Sequence, residues 1–173
     1  VAIIKHLSLP NTKTLREVDI LPIRNSAKAI IINEGKILLT KNQDEDGYFY
    51  LCPGGGQEQG EALKTTVSRE CMEEIGEQVT IGDLCFVRDY IGKNHEHSFD
   101  FDVHRVEFYF LCSLENKLNF ERKPTNPDHH QIGIEWVHFN QINQYRVYPK
   151  QLIRHIKKHF NGEKTQVYVG DIN

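Results

Sequence analysis

The sequence predicts a β-rich chain carrying two helices, of the α+β or α/β class. Short apolar runs bounded by Gly, Pro or polar residues read as strands. Two later stretches, Glu61–Ile75 and Leu152–Phe160, place apolar residues at helical spacing instead. No internal repeat or low-complexity segment divides the chain, and its 173 residues suit one compact domain.

Residues 1–23 have weak periodicity and read as an N-terminal extension with one candidate strand. Ala27–Ile32 and Lys36–Thr40 flank Asn33-Glu34-Gly35, a hairpin signal. Tyr48–Cys52 is a strand that Pro53 ends, and Gly54-Gly55-Gly56 then allow a sharp turn and close approach to a ligand. From Glu61 to Ile75 there is no Gly or Pro, and Gly76 stands where a helix C-cap belongs. Asp83–Ile91 and Arg105–Leu114 are further strands; in the second, Val106, Phe108, Phe110 and Cys112 alternate with polar or aromatic neighbours. Ile134–Phe139, containing Trp136, is a short strand. Pro149 opens the last helix, a residue suited to the first helical position, and Leu152, Ile153, Ile156 and Phe160 supply its buried face. The domain is expected over 24–160, with 161–173 as a tail.

Composition narrows the function classes. Apolar residues at 39% and charged ones at 26% are those of a globular protein, and a net charge of −3 gives no global attraction to nucleic acid or membrane. No apolar run approaches the roughly 20 residues that span a bilayer. The first residues lack the basic start and apolar middle of a signal peptide. Cys52, Cys71, Cys85 and Cys112 are dispersed, form no C-x-x-C pair and read as buried free thiols, in keeping with a reducing cytoplasm.

The chemistry concentrates in residues 55–77. At about 100° per residue, Val67, Cys71 and Ile75 form one apolar stripe, and Glu70, Glu73 and Glu74 lie on an adjoining arc. Like charges at i,i+3 and i,i+4 weaken a helix by about 0.2–0.5 kcal/mol per pair, so something should offset them. A carboxylate cluster behind a glycine loop suits a hard divalent cation such as Mg²⁺ or Mn²⁺ and the phosphates it neutralises. Glu73-Glu74 alone would be an ordinary solvated face; Glu61, Arg69 and the glycines at fixed offsets argue for more.

That stretch resembles the Nudix box of MutT-like hydrolases, G-x5-E-x7-R-E-U-x-E-E-x-G-U with U bulky and apolar. Gly55, Glu61, Arg69, Glu70, Glu73, Glu74 and Gly76 fall on its fixed letters, and Cys71 serves as the first U. Glu77 departs from the second U, a matter of packing after the helix more than of chemistry. The resemblance implies an α/β/α sandwich with a mixed sheet. It implies a Mg²⁺-dependent hydrolase (Mn²⁺ as substitute) that cleaves the pyrophosphate bond of a nucleoside diphosphate linked to another moiety, giving a nucleoside monophosphate. It places the metal on Glu70, Glu73, Glu74 and the Gly54 carbonyl, with Gly54 and Gly55 forming the cofactor-side loop. Glu61 would support the loop–helix arrangement or ligate indirectly, and Arg69 would fix a box carboxylate. The general base would be Glu70 or a carboxylate of a later loop: Glu96, Asp100 or Asp102.

Two polar loops remain. Lys93–His104 also carries His95, His97 and His104, for which a separate metal site, a solvated loop and a substrate-gripping loop are the readings, the last favoured because function concentrates in long loops. Asp128-His129-His130 reads as a solvated turn. Tyr48, Phe49, Tyr50, Tyr90, Phe99 and Phe101 could stack on a base, though alternate strand residues must face the core. The first proline after the box is Pro124, later than in ADP-ribose hydrolases of the family, and no coenzyme A pyrophosphatase signature precedes the box. The expected partner is a small nucleotide-derived diphosphate, with no membrane and no nucleic acid, and a homodimer is left open. Two alternatives stand: an RNA 5′-pyrophosphohydrolase, mildly favoured by the basic face of Lys150, Arg154, Lys157 and Lys158, and a non-catalytic sensor, disfavoured because every box acid is kept.

Overall fold

The computed structural model describes residues 22–95, 101–116, 118 and 123–173. The candidate strand within 1–21, and Glu96, His97, Phe99 and Asp100, lie outside the described residues.

The hairpin forms as β1 (Arg24–Asn33) and β2 (Lys36–Asp44), turning on Glu34 and Gly35, both at positive φ as a two-residue hairpin turn requires. Beyond Ile32–Ile37 the two strands part. β2 pairs antiparallel with β3 (Gly47–Leu51) and β7 (Gln131–His138). β1 pairs with β4 (Gly54–Gly56) and runs parallel to β6 (His104–Leu114). β5 (Val79–Ile91), β8 (Val147–Tyr148) and β9 (Tyr168–Asp171) complete a mixed sheet in the order β8-β3-β2-β1-β6-β5-β9.

Helices α1 (Leu63–Ile75) and α2 (Lys150–Phe160) cover this sheet, and β1 shows how the sequence divides between them. Its period of two sends Ala27, Ala29 and Ile31 to the layer of Val67, Cys71 and Ile75 on α1. Ile30 points the other way, into the layer of Leu152, Ile153 and Ile156 on α2. β6 behaves alike: Phe110 and Cys112 join the α1 layer, and Tyr109 joins the α2 layer. Both faces of these strands are buried, the arrangement expected of an α/β sandwich. All four cysteines are free and buried, and burial pushes the Cys52 and Cys112 thiols up to about 12.

Several expectations need correction. Gly54–Gly56 is no simple turn but a strand, paired with β1 through Lys28, Ala27 and Ser26. Glu61 precedes the helix, which has its N-cap at Ala62, because a turn closes from Glu61 N–H to the Glu58 carbonyl (3.1 Å). Pro149 is the N-cap of α2, one residue before the first helical position. Phe160 is 46% exposed, lying over Phe139 at the fraying end of α2. The expected tail returns to the sheet as β9, parallel to β5. Glu77, at the apolar place of the box, is buried despite its charge.

Leu152→Ala should therefore cost about 2–5 kcal/mol in urea-induced unfolding. Phe160→Ala should cost no more than about 1.5 kcal/mol, the scale of an aromatic pair.

Candidate active site

The site is built where β4 meets α1. Gly54 has φ +133°, and a Cβ there would lie 2.2 Å from the Ala27 carbonyl oxygen, so only glycine lets β4 dock on β1. At Gly55 the constraint is space: a Cβ would lie 2.4 Å from Oε1 of Glu70. The missing side chain is the room in which the Glu70 carboxylate sits. One residue earlier the Gly54 N–H donates to Oε2 of Glu74 at 2.7 Å.

Arg69 ties the pieces together. Its Nε and Nη2 donate to the two oxygens of Glu61 (2.9 and 3.1 Å), the bidentate geometry an arginine fork favours. Nη2 also reaches the Gly56 carbonyl (2.9 Å), and Nη1 donates to Glu70 (2.8 Å) and Glu73 (3.3 Å). Glu61 further accepts the Glu58 N–H (3.1 Å) and the Thr66 hydroxyl (2.9 Å). The hydrogen-bonded Arg69 holds the Glu61 carboxyl down at about 2.

Glu70 and Glu74 are displaced in the opposite sense. Burial pushes Glu70 above the usual carboxylate range against the pull of Arg69. Burial lifts Glu74 to about 7, although Lys28 and the Gly54 N–H oppose it. Lys28, on the α2 side of β1, donates its ammonium to the Gly54 carbonyl. Four carboxylates (Glu61, Glu70, Glu73 and Glu74) thus face two cations, Arg69 and Lys28. Arg69 joins three of those acids and Glu74 turns to β4. Among the described residues no three acidic, histidine or cysteine side chains are already gathered into a cation cage.

Lys28 also lines a cavity of about 630 Å³ that opens beside β4 on the α2 face of the sheet. Its floor carries a buried trio: Arg88 Nε donates to Glu107 Oε2 at 2.8 Å, and the Tyr109 hydroxyl donates to the same oxygen. Burial alone would raise the Glu107 pKa, but Arg88, Lys28 and the Tyr109 hydroxyl outweigh it and hold it low. Phe49, Tyr90 and Tyr148 supply aromatic wall, and Asp44, Glu45 and Asp46 an acidic rim. Of the other aromatic candidates, Tyr48 is exposed under the Lys41 ammonium, Tyr50 is buried, and Phe101 is exposed.

The loops divide. His95 lies 2.6 Å from Asp171 and His104 3.7 Å from Asp89, so the two described histidines of that loop face different carboxylates. Asp102 is exposed in the turn before β6. His130 lines the cavity, and His129 packs edge-on against it. The neighbouring loop supplies donors to the last carbonyls of α1, which a helix end leaves without partners. Thr125 Oγ1 reaches Met72, the Asn126 N–H reaches Glu73, and Gln131 Nε2 reaches Glu74. Sequence reasoning missed Lys28, Arg88 and Glu107. The readable signal was a charged residue inside an otherwise apolar strand, where burial demands a partner.

Comparison with known proteins agrees with this geometry. The NUDIX domain family model matches residues 22–158. Nucleoside triphosphatase NudI of Escherichia coli O139:H28 is 30% identical over 120 residues, covering 61% of this chain and 85% of that protein. Among solved structures, a NUDIX hydrolase from Nitrosomonas europaea superposes with a TM-score of 0.64 at 17% identity, covering 84% of this chain and 94% of the other. An ADP-ribose pyrophosphatase from Streptococcus suis 89-1591 gives 0.57 at 18% identity, covering 87% and 98%. The chain belongs to the Nudix family, among its MutT-like members, and is a Nudix-type pyrophosphohydrolase. Such enzymes generally cleave pyrophosphate bonds in small nucleoside diphosphate derivatives with the help of divalent metal ions. No helix among the described residues is long and apolar enough to cross a membrane.

The residues present fit such an ion. Their donors are hard oxygens, and burial raises the proton affinity of Glu70 and Glu74 even with Arg69 and Lys28 nearby.

Two outcomes follow. Gly55→Ala should push the Glu70 carboxylate out of its place and cut turnover at least about tenfold, by the steep dependence of rate on positioning. The Glu61 interaction should stabilise the fold fully above its ordinary value of 4.5 and lose that contribution as pH falls toward about 2. Acid unfolding of Glu61→Gln should accordingly be flatter than that of the parent across this window, with lower stability at neutral pH.

Proposed function

We propose that the protein is a Mg²⁺-dependent hydrolase of a nucleoside diphosphate linked to another moiety, releasing a nucleoside monophosphate and the phosphorylated remainder. Where that moiety is phosphate, the substrate is a nucleoside triphosphate and the second product pyrophosphate. The observation that carries this reading is the under-neutralised carboxylate array on α1, placed against β4 and joined through Lys28 to the 630 Å³ cavity. Similarity to a nucleoside triphosphatase makes triphosphates the first substrates to try.

In this account Glu70, Glu73, Glu74 and the Gly54 carbonyl hold the cation, and Mn²⁺ can replace Mg²⁺. When bound, the cation screens the diphosphate oxygens and polarises the attacking water. Arg69 fixes the carboxylates through Glu61, Glu70 and the Gly56 carbonyl, so their positions are set before substrate arrives. Glu70, whose carboxylate occupies the space left open at Gly55, takes the proton of the attacking water. Lys28 moves its ammonium from the Gly54 carbonyl to a phosphoryl oxygen, and the nucleoside enters the cavity among Phe49, Tyr90 and Tyr148. The four buried thiols suit a cytoplasmic enzyme. An RNA end is a poorer fit: Lys157 of the basic helix face is committed to the Phe139 carbonyl.

The test incubates the full chain with Mg²⁺ and a panel of nucleoside triphosphates, nucleotide sugars, ADP-ribose and dinucleoside polyphosphates, identifying products by mass spectrometry. A nucleoside monophosphate should appear from at least one. Glu73→Gln should lower turnover at least about 100-fold, as losing a group that stabilises transition-state charge does, with an unchanged melting temperature. Absence of any phosphate-containing product across the panel would overturn the proposal.

A further inference from the structure

Strand β9 and Ile172 after it are latched to the cavity floor by a closed circuit of contacts. β9 lies parallel to β5, with Gly170 beside Arg88 and Asp171 beside Asp89. The Asp171 carboxylate accepts the Ile91 N–H (3.1 Å) and Asn94 Nδ2 (2.6 Å), and stands 2.6 Å from His95 Nε2. The His95 ring stacks on Tyr90, with centroids 5.0 Å apart and planes within 7°. The Arg88 guanidinium lies 5.2 Å from the centroid of the same Tyr90 ring, and its Nη1 donates to the carbonyl of Ile172. Arg88 is in turn the buried partner of Glu107 on the floor.

The circuit thus runs from Asp171 through His95, Tyr90 and Arg88 back to Ile172, the residue that follows the strand. Its consequence is the position of Asn173. That residue lines the 630 Å³ cavity and also an adjoining recess of about 450 Å³ bordered by Arg146, Lys150 and Gln151.

We propose that β9 is a specificity element of the substrate cavity: Asp171 and His95 are positioning residues that latch it, and Asn173 reads a polar edge of the nucleoside. This rests on the cavity being the nucleotide site. An asparagine amide offers both a donor and an acceptor, so it distinguishes base edges that differ only in hydrogen-bonding pattern. A site built to hydrogen-bond its ligand rejects an analogue lacking the partner far more strongly than an apolar wall can. Of the rest of the lining, Phe49 and Tyr148 present mainly ring surface, which stacks without choosing, while Asp44, Glu45, Asp46, Arg105 and His130 are charged or titratable groups; Asn173 is the one neutral amide among the described lining residues.

The experiment uses the full chain as parent, Asn173→Ala and Asp171→Ala. Steady-state turnover of the four ribonucleoside triphosphates with Mg²⁺ is paired with calorimetric binding of the four ribonucleoside monophosphates. Asn173→Ala should compress the kcat/KM ratio between the best and poorest nucleotides at least about tenfold, through KM, with kcat within about threefold. Its melting temperature should stay at the parent value, because it leaves the latch intact. Asp171→Ala should lose the same discrimination; if it fails to fold, Asn173→Ala decides alone. Unaltered ranking in Asn173→Ala, in both turnover and binding, overturns the specificity role whatever the activity. If the parent turns over none of the triphosphates, the binding ranking decides: an altered ranking upholds the strand's role while counting against triphosphates as substrates, and no binding of any monophosphate overturns it.

Discussion

Arg69 sets where the glycine strand and the acidic helix stand relative to each other. One guanidinium reaches Glu61 before the helix, Glu70 and Glu73 on it, and the Gly56 carbonyl on β4. Without that charge, four carboxylates would crowd one crevice with only Lys28 against them, and mutual repulsion would spread them. A lysine could not replace it, since a single ammonium cannot satisfy a bidentate carboxylate and a backbone carbonyl from one planar fork. The box spacing has this physical content: Glu61 and Arg69 form the clamp, and the remaining acids occupy the space it defines.

The sheet turns that clamp into a site. β1 carries alternate residues to opposite faces, so Ala27 and Ala29 lie under α1 while Lys28 enters the cavity on the other face. Because β4 pairs with this stretch of β1, the Gly54 carbonyl comes within reach of Lys28 and the Gly54 N–H within reach of Glu74. The contact between Lys28 on β1 and Gly54 on β4 therefore connects the carboxylates of α1 to the cavity on the other face of the sheet. The cavity beyond is closed below by Arg88, Glu107 and Tyr109, three polar side chains that tolerate burial because each satisfies another.

What was legible in the sequence follows from how local each feature is. The hairpin at Glu34-Gly35, the stripe of Val67, Cys71 and Ile75, and the αL cap at Gly76 depend on neighbours a few residues away, and the chain states them directly. The box acids could be placed on one helix, but the Arg69–Glu61 grip depends on Glu61 turning back from outside that helix. Gly54–Gly56 becomes a strand only because β1 is there to pair with it, which no periodicity within three glycines can announce. Phe160 fits the apolar stripe of α2 but is its last residue, packed on Phe139 and His159, and stays 46% exposed. β9 is short, and its partner lies far back in the chain at β5, so nothing local marks it as a strand. Lys28, Arg88 and Glu107 were visible as charges within apolar strands, and that oddity was their signal.

The carboxylates of α1, we propose, form a divalent-cation site held ready by Arg69. Titration of Mn²⁺ followed by electron paramagnetic resonance tests it without requiring a known substrate. The parent should take up Mn²⁺ saturably, and Glu70→Gln should weaken that uptake at least about tenfold, the effect of losing a direct carboxylate ligand. Equal Mn²⁺ affinity in parent and variant would rule out Glu70 as a ligand of the cation and, with it, a cation site on α1.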